Sequence, residues 1–126
     1  MMNEELKMKS KNVLKDKSFT FSIYIVEQYK RLTEAKEFIM SKQLLRSGTA
    51  IGALIREAEF AHSKTDFISK PSIFLKEANE TCYWLELLHG IHYINTERFE
   101  ESSKYINELI SMLVSSIKTS KLKLNK

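Results

Sequence analysis

A chain of 126 residues, 43% hydrophobic and 29% charged, fits one soluble domain that can bury a core without a metal or a disulfide. One proline and three glycines are too few breakers for a turn-rich β fold, and a lone cysteine, Cys82, excludes an internal disulfide or a cysteine–zinc cluster. The net charge of +4 sits at the ends: the first 17 residues hold five lysines against three acids, the last nine hold four lysines and no acid, and the stretch between is net −2.

The first predicted helix runs from about Asn12 to Leu32, with Leu14, Ser18, Phe21, Ile25, Tyr29 and Leu32 on one stripe. The second runs from about Glu37 to Ala61, with Met40, Leu44, Ser47, Ile51, Ile55 and Ala58 as its stripe. Gly48 and Gly52 lie one turn apart beside that stripe. Each costs about 1 kcal/mol relative to alanine inside a helix, so the pair predicts close approach of another helix.

The third helix is expected over Asp66 to Tyr93, kinked at Pro71, with Ser63-x-x-Asp66 at capping-box spacing. An alternative start has an N-cap at Ser69 and Pro71 in the first turn. Its core stripe is Phe67, Phe74, Ala78, Thr81, Leu85 and Leu88. A second stripe of Ile73, Trp84, Leu87 and Ile91 predicts packing on two sides, in the bundle or against another copy. The fourth helix reads from about Glu97 to Ser120, capped by Thr96, with Phe99, Ser103, Ile106, Ile110, Leu113 and Ile117 inward. Short breaks between the four predict an all-α, antiparallel, up-down-up-down four-helix bundle. Residues 12–120 form that bundle, 1–11 a flexible basic N-terminal segment, and 121–126 a basic tail.

This topology gathers the terminal lysines at one end. Lys11, Lys15, Lys17, Lys118, Lys121 and Lys123 are therefore the candidate nucleic-acid contacts. Gly48, Gly52, Trp84, Leu87 and Ile91 are the candidate packing or oligomer contacts. No apolar run reaches the ~20 residues of a membrane helix, and residues 1–17 lack a signal-peptide core. A reducing cytoplasm is the expected location.

Chemistry is harder to find. Glu59…His62 and Glu86…His89 imitate di-iron bundle ligands, but antiparallel helices put them roughly 30 Å apart. His89 and His92 lack a third ligand, and Cys82 stands about 10.5 Å of helix from His89, too far for thiol activation. There is no phosphate-binding glycine loop. No metal, cofactor or catalytic residue is expected. Lys42 and Arg46 on the second helix, with Lys76, Glu77 and Glu80 on the third, suit ion pairing on or between helices; a ligand-binding polar cluster is the alternative.

The run Ser41-Lys-Gln-Leu-Leu-Arg-Ser-Gly-Thr-Ala-Ile-Gly-Ala53 is distinctive. So are Glu57-Ala58, Asp66-Phe67-Ile68 and Leu75-Lys-Glu-Ala-x-Glu80-Thr81-x-x-Trp84-Leu85-x-Leu87-Leu88. Together with Asp16 to Phe19, Ile25-Val26 and Tyr29, they closely resemble the bacterial four helix bundle protein family, also called the 23S ribosomal RNA intervening-sequence protein family. The resemblance covers about residues 12–115. It implies an up-down bundle, a ring-like homopentamer, no enzymatic activity, and in some relatives a gene inside a ribosomal RNA insertion. It also implies kinship with accessory proteins of diversity-generating retroelements, which engage a reverse transcriptase and nucleic acid. RNA or a nucleoprotein is the partner expected on that basis; a homo-oligomeric protein scaffold is the alternative.

Overall fold

A computed structural model describes residues 4–58 and 71–124, with side chains over 13–58 and 72–118. Four helices follow in chain order: α1 (Glu4–Glu34), α2 (Met40–Ala58), α3 (Pro71–Gly90) and α4 (Thr96–Leu124). Each packs on its neighbour in sequence, and α4 closes back on α1. The described residues contain no strand, and the architecture is an all-α, up-down-up-down bundle. The α1–α2 interface is the most extensive and the α4–α1 interface the least.

The core follows the three-and-four spacing. Leu14, Ser18, Phe21, Ile25, Gln28 and Leu32 of α1 are buried, with Gln28 in the place expected for the half-buried Tyr29. Leu44, Ser47, Ile51, Ile55 and Ala58 come from α2, and Phe74, Ala78, Thr81, Leu85 and Leu88 from α3. On α4 the buried line is Ser102, Ile106, Leu109 and Leu113, one position off the expected Ser103 and Ile110. The small Ser102 turns inward because Tyr24 of α1 reaches across to it: the Tyr24 hydroxyl donates to the Arg98 carbonyl at 3.2 Å and accepts from Ser102 Oγ at 3.0 Å.

The helix limits differ from the sequence reading for identifiable reasons. Residues 4–11 and 121–124, expected as an arm and a tail, are helical; Glu, Leu, Lys and Met there are good helix formers with no breaker among them. Helix two starts at Met40 rather than Glu37, because Glu37 is its cap. Helix three ends at Gly90 rather than Tyr93. There the Tyr93 N–H donates to the Leu88 carbonyl at 2.9 Å and the His92 N–H to the His89 carbonyl at 3.1 Å, with His92 at φ 71°. This is a Schellman ending. The end of α1 repeats it: Glu37 N–H to Leu32 at 2.9 Å, Lys36 N–H to Thr33 at 3.0 Å, and Lys36 at φ 66°. Asn95, not Thr96, caps α4, since Asn95 Oδ1 accepts the Arg98 N–H at 2.8 Å. The expected kink, the capping motif at Ser63, the alternative cap at Ser69, Phe67 and the 59–61 end of helix two lie outside the described residues.

Candidate functional site

Three places in the fold hold most of the residues singled out by sequence: the seam between α2 and α3, the α1–α2 interface, and the pole where α1 begins and α4 ends. At the seam, Ser47 and Thr81 meet in the core, where Thr81 Oγ1 lies 3.0 Å from Ser47 Oγ and 2.8 Å from the Glu77 carbonyl. Both side chains are fully buried. Above them, Arg46 reaches from α2 to α3. Its Nη1 lies 3.3 Å from Glu77 Oε2, its Nη2 pairs with Glu80, and its Nε donates to Gln43 Oε1 at 3.4 Å. Trp84 Nε1 donates to the same Glu80 carboxylate at 3.2 Å.

Burial opposes the charge on Arg46, but Glu80 and then Glu77 more than offset that and hold the guanidinium above its ordinary pKa. Each guanidinium nitrogen of Arg46 and the Trp84 indole N–H has a partner in the chain, so this group works as a fastening between helices. Lys42 and Lys76 are exposed beside it and are not among its pairs.

The glycine pair lies at the α1–α2 interface. A Cβ on Gly48 would stand 2.9 Å from both γ carbons of Ile25, inside any real contact. A Cβ on Gly52 would meet Ser22 Oγ at 3.2 Å and the Ser18 carbonyl at 3.4 Å. Trp84 and Leu87 are half-buried, and Trp84 packs on the core and edge-on to Tyr83, with centroids 5.0 Å apart. Ile91, just past the end of α3, is exposed, as are Ile73 and Tyr83 on that helix.

At the pole, Leu14 of α1 and Leu113 and Ile117 of α4 line one small apolar hollow with Ile55 and Phe74. The start of α1 and the end of α4 are therefore side by side. Lys17 pairs with Glu108 across the two helices. Lys15 is half-buried and Lys118 exposed. Lys11, Lys121 and Lys123 lie on the helical backbone of α1 and α4, with side chains outside the described set.

Residues that suggested chemistry have structural occupations. His89 stacks on Phe99 at 4.3 Å and lies 3.2 Å from Thr96 Oγ1. The Cys82 thiol is pushed up by burial and by the Glu86 charge, away from nucleophilic behaviour. His62 and Glu59 lie outside the described residues. Among those described, no group of three His, Cys, Asp or Glu side chains is placed to hold a metal, and no helix is long and apolar enough to cross a membrane.

Sequence reasoning missed three side chains. Glu37, read as the first residue of helix two, folds its carboxylate over the helix start: Oε1 accepts Ile39 and Met40 N–H at 3.2 and 3.0 Å, and Oε2 accepts Ser41 N–H at 2.6 Å. Burial alone raises its pKa, but the three backbone donors and the Ser41 hydroxyl outweigh that and lower it. An acid four residues ahead of Ser41 in a first turn was the available signal. Tyr24 and Ser102 are 78 positions apart and gave none. Burial is the main reason the Tyr24 hydroxyl titrates above its ordinary value.

No curated protein matches the chain. Among solved structures, it is similar to a crystal structure of a protein of unknown function from the S23 ribosomal protein family of Bacteroides thetaiotaomicron. The two share 56% identity with a TM-score of 0.84 over 86% of this chain and 98% of that one. The profile of a family described as 23S rRNA-intervening sequence protein matches residues 10–115, a span that takes in the glycine pair, the α2–α3 seam and the buried line of all four helices. The chain thus belongs to the 23S rRNA-intervening sequence protein family.

Proposed function

We propose that this protein is a non-enzymatic, self-assembling cytoplasmic accessory protein that binds RNA or a nucleoprotein through its lysine-rich pole. One observation supports the reading: Leu14 of α1 and Leu113 and Ile117 of α4 line one hollow, so the start of α1 lies beside the end of α4, and the sequence holds its excess of lysine in these two stretches. The family's name links it to ribosomal RNA, and its retroelement kin, implied by resemblance, make a reverse transcriptase complex the second partner to try. A homopentamer, the assembly implied by the same resemblance, repeats the lysine pole five times on one face.

Contacts of this kind release counterions and weaken steeply as salt rises. In a gel-shift assay against structured RNA, the protein should retard the RNA at about 50 mM salt and release most of it by about 200 mM. Unshifted RNA at the lower salt sinks the reading. Light scattering should return five times the 14.7 kDa mass of the chain.

A second reading, a homo-oligomeric protein scaffold without nucleic acid, is favoured by Ile73 and Tyr83 on α3 and Ile91 just after its end, three exposed large apolar side chains. Protein partners retained after nuclease treatment, with no RNA shift, would select it.

A further inference from the structure

We infer that the pole opposite the chain ends takes the same pole of a second copy, two bundles meeting head to head about a twofold axis. The helices alternate in direction, so the turn between α1 and α2 (residues 35–39) and the turn between α3 and α4 (residues 91–95) share that pole. Ser47 meets Thr81 across α2 and α3, and Tyr24 meets Ser102 across α1 and α4. The start of α2 therefore lies beside the end of α3, and the end of α1 beside the start of α4.

The two turns hold four of the ten exposed large apolar side chains among the described residues: Phe38, Ile39, Ile91 and Tyr93. Ile39, at 79%, is the most exposed of all ten. Apolar side chains gathered at the surface in this way mark a contact. The backbone beneath them is fixed: Lys36 and His92 close α1 and α3 in left-handed conformations, and Glu37 and Asn95 cap α2 and α4. A surface ordered in advance loses little freedom on docking.

Charge selects the occupant. Residues 30–44, on the α1–α2 half, carry Lys30, Arg31, Lys36 and Lys42 against Glu34 and the capping Glu37. Residues 86–101, on the α3–α4 half, carry Glu86, Glu97, Glu100 and Glu101 against Arg98. Among the described residues, none of these side chains forms an ion pair within the chain. One half of the pole is thus basic and the other acidic. A nucleic acid or an anionic bilayer presents one sign of charge and would be repelled by the acidic half. The pole itself answers both halves. A half-turn about the line between them lays the basic half of each copy on the acidic half of the other, and brings Phe38 and Ile39 of each to Ile91 and Tyr93 of the other. Such a contact closes at two and is small, so it forms at high concentration. It goes beyond the nucleic-acid reading, and it would join two single chains or two rings alike.

Sedimentation of the nuclease-treated full chain between about 5 and about 500 μM tests this, and the mass should double over that range. Ile39→Ser/Tyr93→Ser should abolish the doubling. Lys30→Glu/Lys42→Glu makes both halves acidic, and Glu97→Lys/Glu100→Lys makes both basic. Each alone should weaken self-association at least tenfold, while an equal mixture of the two should restore it to within threefold of the parent. Circular dichroism melts check that each variant folds. A constant mass up to about 500 μM, a mass that climbs past doubling, doubling that survives Ile39→Ser/Tyr93→Ser, or a mixture that fails to restore it overturns the inference. So does a pole that stays single yet loses binding to phosphatidylserine vesicles or to structured RNA in Ile39→Ser/Tyr93→Ser, since it then serves a different occupant. RNA retardation by the parent protein is scored separately and decides only the nucleic-acid reading.

Discussion

Single residues decide how closely the helices approach and where they stop. Gly48 admits Ile25 so tightly that a Cβ would stand 2.9 Å from two of its carbons, and Ile25 is fully buried and cannot swing aside. Gly48→Ala should therefore destabilise by about 1–2 kcal/mol, overpacking outweighing the roughly 1 kcal/mol that alanine returns to a helix. In an Ile25→Ala background the same change should cost less or turn stabilising, by up to about 1 kcal/mol, because the two γ-carbon clashes are gone and only the Cβ at 3.3 Å remains close. Gly52→Ala meets the adaptable Ser22 hydroxyl first and should stay within about 0.5 kcal/mol. Urea melts of the variants measure this; equal costs at Gly48 and Gly52 would count against the packing argument.

Glu37 supplies a pH signature. A carboxylate whose folded pKa lies below the unfolded value, about 4.3, stabilises the fold above that value. The stabilisation is lost as pH falls through the lower folded value. Glu37→Gln should cost about 1–2 kcal/mol at pH 7 and progressively less below pH ~4, where the parent is also neutral. A gap that stays constant down to pH 3 contradicts the assignment.

Among helices, the stops and starts matter as much as the stripes. Lys36 and His92 hold left-handed conformations that usually go to glycine, at a cost of about 1–2 kcal/mol per residue. Lys36→Gly should raise stability by about 0.5–1 kcal/mol, the strain relieved exceeding the added unfolded-state entropy. At the start of α4, Asn95→Ala should cost about 1 kcal/mol and Thr96→Ala much less, since only the Asn95 side chain accepts a helix N–H. A thermal melt ranking them the other way would restore Thr96 as the cap.

The same elements show what a sequence can and cannot tell. Four helices, their order and most of their inward positions were legible, because Leu44, Ile51, Leu85 and Leu88 recur at helical spacing whatever the neighbours do. The α4 face was not, because Phe99 and Ile110 look more apolar than Ser102, whose hydroxyl has its partners in the Arg98 carbonyl one turn back and in Tyr24, 78 positions away. The polar seam was legible as a cluster of charges in two segments. Its wiring, with Arg46 between Glu77 and Glu80, required the register of α2 against α3. Such half-exposed pairs contribute little stability each, roughly 0–1 kcal/mol, so their value is in fixing that register.

At the scale of the molecule, cohesion is graded. Among the described residues, the most extensive contact between side-by-side helices joins α1 to α2, and the least extensive joins α4 to α1. Native-state hydrogen exchange should therefore show amides of α2 opening only near the global unfolding free energy, and amides of α4 opening at lower cost. Uniform protection across the two helices would contradict this gradient.

The indole of Trp84 is the single tryptophan of the chain, and it is tethered to Glu80 at the joint between α2 and α3. The molecule thus carries its own optical reporter at one defined place. Its emission should move to longer wavelength when water reaches that joint and stay put while only α4 frays, so one dye-free fluorescence trace separates loosening at the edge from loss of the whole.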